Sequence, residues 1–209
     1  MKQEIGLIID FDNALVATNF FIAEHLKKTC QGLNVPEPDN GVLTAKLKEN
    51  PPFEKIFSDL FGEKAEMILA AYRENAMETP YRETLGGNEF VQTLSGQGVP
   101  MVIVSNRVNK LEDRLVQAGY NPKSFLSIIK AEPAKPDQHA YDSAIALLFG
   151  KQVMIMGDHM DDYLACPDDL RSNFIAVLTG LTTVEEFEKA GVAPDNIWQK
   201  LEAQSLLAI

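Results

Sequence analysis

The fold is decided by residues 5–15, which read Ile-Gly-Leu-Ile-Ile-Asp-Phe-Asp-Asn-Ala-Leu. The apolar run of residues 5–9, rich in β-branched side chains, predicts a strand buried on both faces of a parallel sheet. Asp10 and Asp12 follow it, and two like charges at the end of a buried strand need a cation to offset their desolvation. From this stretch alone, two interpretations stay open: a ligand site at the carboxyl end of the strand, or a solvated exit from it.

Composition and charge restrict the classes of partner. The chain has 209 residues, of which 45% are hydrophobic and 23% charged, as in ordinary globular proteins. A formal net charge of −11 argues against nucleic acid and anionic membranes, because both require basic patches on the protein. Cys30 and Cys166 fit no metal-binding spacing, which predicts two reduced thiols. The apolar run ended by Asp10 is too short for a signal peptide or a membrane span, so we expect a cytoplasmic protein.

The order of helical and strand patterns predicts two regions. Residues 16–85 contain helical patterns and no convincing strand, whereas helices and strands alternate from residue 86, as in a parallel α/β sheet. We therefore predict an α/β core formed by residues 1–15 and 86–209, with residues 16–85 as an inserted helical domain. Later strands are predicted at 101–104, 125–129, 153–156 and 174–178, and later helices at 88–97, 110–118, 137–149 and 183–190 and from residue 197 onward.

Polar residues follow several of these strands. Ser105 and Asn106 end the second strand, Asp158 ends the fourth, Asp162 lies four residues later, and Lys135 precedes a helix. Because the carboxyl ends of parallel strands share one edge of a sheet, we expect these residues to converge with the two aspartates of the first strand. Carboxylates, a hydroxyl and a lysine form an oxygen-rich site for a hard cation such as Mg²⁺, whose shell a phosphoryl group would complete.

This set of residues resembles the four motifs of the haloacid dehalogenase-like (HAD) superfamily, and within it the phosphoglycolate-phosphatase-like members with a helical cap. The resemblance covers nearly the whole chain. It implies a Rossmann-like parallel sheet core, a cap formed by residues 16–85, and Mg²⁺-dependent hydrolysis of a small phosphomonoester. The four motifs fall on Asp10 and Asp12, on Ser105, on Lys135 before Pro136, and on Gly157, Asp158 and Asp162.

The resemblance also implies a role for each matching residue. Asp10 would be the nucleophile that forms an aspartyl-phosphate, and Asp12 would act first as general acid and then as general base. Because dehalogenases of the superfamily lack this second acid, Asp12 argues against hydrolysis of a carbon–halogen bond. The substrate would contact Ser105, Asn106 and Lys135, and Mg²⁺ would be held by Asp10, the Asp12 carbonyl, Asp158 and, directly or indirectly, Asp162.

Several positions leave alternatives open. Asn13 and Ala14 stand where such enzymes usually have Gly-Thr or Gly-Val; Asn can adopt a positive φ, but Ala14 lacks a side chain that could brace the loop. His159 is interpreted as a solvent-facing loop residue rather than a substrate contact. Arg107 either reaches a phosphate or starts a helix. Four residues after the first loop could shape a substrate pocket: Phe20, Phe21, Glu24 and His25. For the pair Phe20 and Phe21, a core position is the preferred interpretation.

Two other functions compete with the phosphatase. A phosphosugar mutase would use the same four motifs but would need a bisphosphate activator. A catalytically weakened HAD fold could serve as a binding or regulatory protein, with the change at Asn13 and Ala14 as its only support. The sequence does not name the substrate, because specificity in this architecture follows no transferable code, and both a monomer and a homodimer stay open.

Overall fold

The computed structural model describes residues 4–49, 51–107 and 110–208. In this part of the chain, six parallel strands form one sheet in the order β3-β2-β1-β4-β5-β6. The predicted parallel α/β fold with a helical insertion is therefore confirmed. The strands are β1 (Ile5–Ile9), β2 (Met101–Ser105), β3 (Ser127–Lys130), β4 (Gln152–Gly157), β5 (Phe174–Val177) and β6 (Ile197–Trp198).

Strand β1 lies in the middle of the sheet, as its apolar run predicts. Ile8 is paired with Val102 of β2 on one side and with Ile155 of β4 on the other, and all three side chains are fully buried. After β1 the chain extends the sheet through β2 and β3, then returns to the other side of β1 for β4. The carboxyl ends of β1 and β4 therefore border the point where the strand order reverses, which is where open α/β sheets bind ligands.

The helices fall into two groups. Among the described residues, four α-helices belong to the insertion between β1 and β2, and six follow the insertion. The hydrophobic core of strands and later helices contains large buried side chains such as Tyr141, Phe174 and Phe187. The insertion contains α1 (Thr18–Gly32), α2 (Asn40–Lys48), α3 (Phe53–Phe61) and α4 (Ala65–Glu74); the later helices are α5 (Gly87–Gly96), α6 (Leu111–Gln117), α7 (Asp142–Leu147), α8 (Met160–Ala165), α9 (Val184–Ala190) and α10 (Ala203–Ala208).

The chain forms two compact units, Met1–Ala17 with Arg82–Ile209, and Thr18–Tyr81. From the sequence we placed this division after residue 15 and before residue 86; that the second unit acts as a cap stays a prediction. Its interior contains His25, whose Nε2 donates to the Tyr72 carbonyl at 2.8 Å and whose Nδ1 lies 3.0 Å from the Thr79 hydroxyl. Phe21 is buried and stacks on Tyr81. The core position predicted for Phe21 is confirmed, whereas Phe20 is half exposed.

The predicted helix at 137–149 is shorter in the structure, where α7 begins only at Asp142. Residues 137–141 form turns instead, and Asp137 Oδ1 accepts a hydrogen bond from the His139 backbone N–H at 2.9 Å. Such local side-chain bonds compete with helix formation, which explains the late start. Strand β3 likewise lies two residues later than predicted at its first residue and one later at its last.

The predicted C-terminal helix is also divided. Ile197 and Trp198 pair with Ala176 and Val177 as the edge strand β6, and the helix α10 starts only at Ala203. Helix α8 was not predicted at all. Within the described residues, both cysteines are buried free thiols, as expected, and no helix combines the length and hydropathy that a membrane span requires.

Candidate active site

Three buried carboxylates meet at the carboxyl ends of β1 and β4. Asp10 follows β1, Asp158 follows β4, and Asp162 belongs to α8. Each offers a carboxylate oxygen that lies within 4.8 Å of the other two, and all three side chains are buried. We call these three residues the acidic trio. The sequence prediction that they converge is correct because each follows, directly or by one helical turn, a central strand of the parallel sheet.

The orientation of Asp162 comes from the start of α8. Asp162 Oδ2 accepts a hydrogen bond from the His159 backbone N–H at 3.1 Å, and His159 Nδ1 accepts one from the Asp161 N–H at 3.2 Å. These reciprocal bonds form a capping box that fixes the first turn of the helix. His159 is therefore a partly buried helix cap, which corrects its interpretation as a solvent-facing loop residue. A Cβ at Gly157 would overlap the Asp162 side chain, so only glycine fits there.

Lys135 places a buried cation between two members of the trio. Its Nζ donates to Asp10 Oδ1, to Asp162 Oδ1 at 2.6 Å and to the Val104 carbonyl at 3.1 Å. The Asn106 amide holds the lysine backbone on both sides: its Oδ1 accepts from Lys135 N–H at 2.8 Å, and its Nδ2 donates to the Lys135 carbonyl at 2.9 Å. Asn106 therefore positions Lys135, although the two residues are 29 positions apart.

The charges of this cluster are not balanced by its own residues. Burial raises the pKa of Asp10 to about 7 although Lys135 acts against the shift, and burial together with Asp10 and Asp162 holds the pKa of Asp158 well above its ordinary value. Burial alone would lower the pKa of Lys135, but the adjacent Asp10 and Asp162 carboxylates raise it well above its ordinary value. One lysine among three buried carboxylates leaves a negative site, and its oxygen ligands suit a hard divalent cation.

Asp12 lies beside the trio and is held by Arg107. Arg107 Nε donates to Asp12 Oδ1 at 3.1 Å and Oδ2 at 3.0 Å, and Nη2 also donates to Oδ1. The Arg107 backbone N–H donates to the Ser105 hydroxyl at 3.1 Å. Helix α6 begins only at Leu111, so Arg107 is not a helix-start cation. Its contact with Asp12, 95 residues away, has no signal in the local sequence.

The loop after Asp12 compensates for the two unusual residues. Asn13 adopts the left-handed conformation, with φ of 59°, as the sequence comparison with Gly predicts. Two side chains from other elements hold the backbone after Asn13: the Thr84 hydroxyl donates to the Ala14 carbonyl at 2.6 Å, and the Tyr120 hydroxyl donates to the Leu15 carbonyl at 2.6 Å.

Two further residues that sequence reasoning missed border the trio. Tyr141 is fully buried; its hydroxyl lies 3.4 Å from Asp162 Oδ1, and its ring centroid lies 6.0 Å from Lys135 Nζ. Gly180, in the loop after β5, is packed so closely that an added Cβ would overlap Asp158 Oδ2. A glycine two residues after a predicted strand is the one available signal, and it is too common to be read alone.

Comparisons with known proteins support the same fold. The family model for haloacid dehalogenase-like hydrolases matches residues 7–177, and none of the curated proteins compared with the chain matches it. A proposed β-phosphoglucomutase from Thermotoga maritima is 15% identical over 99% of both chains, with a TM-score of 0.78. A proposed phosphatase from Clostridium difficile is 18% identical over 100% of both chains, with a TM-score of 0.76. The proposed HAD hydrolase YfnB from Bacillus subtilis, solved with magnesium bound, is 18% identical over 100% of both chains, with a TM-score of 0.70.

Proposed function

The chain belongs to the haloacid dehalogenase-like hydrolases, and we propose that it hydrolyses a small phosphomonoester through a phosphorylated Asp10. The observation that carries the proposal is the meeting of the acidic trio with Lys135, beside Asp12 and Ser105, at the reversal of strand order. A site with a carboxylate nucleophile, a second acid and a cation binding site has the parts that phosphoryl transfer to an aspartate requires.

The acidic trio fits Mg²⁺ as a cofactor. Three buried carboxylates share one lysine, and the Asp10 and Asp158 carboxyls have raised pKa values, so a divalent cation would relieve their desolvation. We propose that Asp10, Asp158 and Asp162 hold the ion together with the Asp12 carbonyl. Bound there, Mg²⁺ would supply positive charge next to the phosphoryl oxygens. The magnesium bound to YfnB is consistent with this assignment.

In the proposed reaction, Asp12 first donates a proton and then accepts one. The Asp10 carboxylate attacks phosphorus, the bond from phosphorus to the ester oxygen breaks, and Asp12 gives that oxygen its proton. Asp12 then takes a proton from water, whose oxygen attacks phosphorus and frees the Asp10 carboxylate and orthophosphate. Lys135, fixed by its bond to Asp10 Oδ1, offsets charge on the nucleophile and the phosphoryl group.

Ser105 and Asn106 would have different parts in this reaction. The buried Ser105 hydroxyl lies at the end of β2, and we propose that it donates to a phosphoryl oxygen. The Asn106 amide contacts the Lys135 backbone at both its ends, which supports a positioning function; a direct contact of Asn106 with substrate stays a prediction.

The competing functions make different demands. A phosphosugar mutase would use the same residues but would return the phosphoryl group to a sugar, so it would release little orthophosphate. A weakened binding protein was suggested by Asn13 and Ala14 alone. The left-handed conformation of Asn13 and the hydrogen bond from Thr84 to the Ala14 carbonyl favour an intact loop and weigh against that alternative.

The test is release of orthophosphate from p-nitrophenyl phosphate with Mg²⁺ and with a chelator. We expect turnover that requires Mg²⁺ and that falls by about a thousandfold or more in Asp10→Ala. Asp168→Asn is a matched control, because Asp168 is exposed and pairs with Arg171 on the surface; it should keep full turnover. Folded protein that binds Mg²⁺ but turns over equally with and without Asp10 would overturn the proposed mechanism.

A further inference from the structure

Arg107 occupies both carboxylate oxygens of Asp12. The guanidinium donates from Nε to Oδ1 and Oδ2 and from Nη2 to Oδ1. While this pair is intact, the oxygens that must exchange a proton with the substrate are already engaged. If Asp12 is the acid and base of the proposed reaction, moving Arg107 away would clear both of its oxygens for that exchange.

A displaced guanidinium needs another anion, and its surroundings provide a place for one. The backbone N–H of Arg107 donates to Ser105 Oγ at 3.1 Å, so the Arg107 backbone lies beside the hydroxyl that we assign to the phosphoryl group. The planar guanidinium fork suits two phosphoryl oxygens as well as two carboxylate oxygens. The Phe11 ring centroid, 5.7 Å from Cζ, keeps the guanidinium near the loop during an exchange.

The other cation of the site cannot take this part. Lys135 is bonded to two members of the acidic trio and to the Val104 carbonyl, and its side chain is 4% exposed. The Arg107 side chain is 21% exposed, which leaves it open to a molecule that enters the site. A phosphoryl dianion adds negative charge to a site already rich in carboxylates, and Arg107 is the cation placed to meet it.

We propose that Arg107 is a phosphate clamp that rests on Asp12 and moves its fork to the phosphoryl oxygens when the substrate binds. This exchange frees Asp12 for proton transfer at the moment when the phosphoryl group is in place. The inference rests on the proposed phosphatase function and adds a substrate-binding residue to it.

The experiment measures orthophosphate binding to the Mg²⁺-loaded protein by calorimetry, together with kcat and KM for p-nitrophenyl phosphate. In Arg107→Met we expect the orthophosphate Kd and the KM to rise about 10- to 100-fold, while kcat stays within about threefold, as for loss of a contact made in both ground and transition states. Arg107→Lys keeps the positive charge but lacks the planar guanidinium fork. Its Kd and KM should lie between those of the unaltered protein and those of Arg107→Met. Mg²⁺ affinity should not change in either variant.

Arg171→Met is the matched control. Arg171 also contacts a carboxylate, Asp168 at 3.0 Å, and an aromatic ring, Tyr163 at 5.7 Å, but it lies at the amino end of β5. Its replacement should leave Kd, KM and kcat unchanged.

The outcomes separate this inference from the function beneath it. If Arg107→Met binds orthophosphate as the unaltered protein does, and only kcat falls, Arg107 merely positions Asp12 and the clamp is wrong. If Arg107→Met does not fold, Arg107→Lys decides: an unchanged Kd overturns the clamp, and a raised one supports it. If the unaltered protein neither binds orthophosphate nor turns over, the proposed function itself fails, and the clamp fails with it.

Discussion

Asn13 shows how one residue can satisfy a backbone requirement that usually calls for glycine. It lies directly after Asp12 with φ of 59°, and its N–H donates to the Val16 carbonyl at 2.7 Å, which closes the turn. Asn is the residue other than glycine that most readily adopts this conformation. The departure from Gly-Thr therefore preserves the geometry of the loop that carries the proposed acid and base.

Replacing Asn13 by Ala and by Gly isolates the backbone effect, because both variants lack the side-chain amide and differ from each other only in Cβ. In ordinary backbone the Ala variant would be the more stable of the two. Here we expect Asn13→Gly to be more stable than Asn13→Ala by about 1 kcal/mol, since Cβ opposes the left-handed conformation. Urea unfolding of the two variants measures the difference. Equal stability, or a more stable Ala variant, would contradict the assignment of strain to this position.

Single site residues can be predicted from the sequence where they directly follow a buried strand. Asp10 and Asp158 could be predicted because each ends a buried apolar run, and the topology then brings them together. The partners of Arg107 and His159 could not be predicted. Arg107 reaches Asp12 across 95 positions, and His159 acts through the first turn of a six-residue helix too short for a periodic pattern.

At the scale of elements, the loop after β5 shapes the acidic trio without contributing a charge. The close approach of Gly180 leaves the Asp158 carboxylate the room in which it lies. An added methyl group would push this carboxylate out of its position, since buried carboxylates are held by close-packed neighbours. The glycine is thus a positional requirement of the proposed cation site.

We expect Gly180→Ala to weaken Mg²⁺ binding by about 10-fold or more, an effect typical of disturbing the residues that orient a metal ligand. Calorimetric titration of the folded variant with Mg²⁺ measures it directly, independent of activity. Gly96→Ala is the control, because no atom lies within 4 Å of the Cβ that would be added at the end of α5. Undiminished affinity in Gly180→Ala would show that Asp158 tolerates displacement or does not bind the ion.

The elements that escaped prediction share a physical reason. Strand β6 has two residues, which cannot display alternation, and its identity as a strand depends on pairing with Ala176 and Val177. The late start of α7 depends on the hydrogen bond that the His139 backbone N–H donates to the Asp137 carboxylate. By contrast β1, β2 and β4 are long, apolar and central, and their predicted positions agree with the structure to within one residue at each end.

At the scale of the molecule, pH and Mg²⁺ should act on stability through the same carboxylates. Because burial raises the pKa of Asp10 to about 7, the metal-free folded protein binds more protons than the unfolded chain between the ordinary aspartate pKa and that value. Its stability should therefore fall as the pH rises through this window. Mg²⁺ competes with these protons, so it should stabilise the protein most where the carboxyls are deprotonated.

Thermal unfolding with and without Mg²⁺ tests this linkage. At a fixed Mg²⁺ concentration about one hundred times the Kd at about pH 8, we expect Tm to rise by about 5–10 °C at that pH and by much less at about pH 5.5. NaCl at matched ionic strength controls for screening of the net charge of −11. In Asp10→Asn the fall in metal-free stability with pH should become smaller. An equal rise in Tm with Mg²⁺ at both pH values would contradict binding of the ion to the acidic trio.

The two joints of the helical insertion lie side by side in the core. The Ala17 N–H donates to the Arg82 carbonyl at 2.9 Å, and the Thr84 N–H donates to the Leu15 carbonyl at 2.9 Å. Since the chain leaves and re-enters at a single spot, the strands place no demand on the length of what comes between. A helical segment of another size could therefore be grafted between the same residues without changing the register of the sheet. The entropic cost of closing the longer segment would grow only slowly with its length.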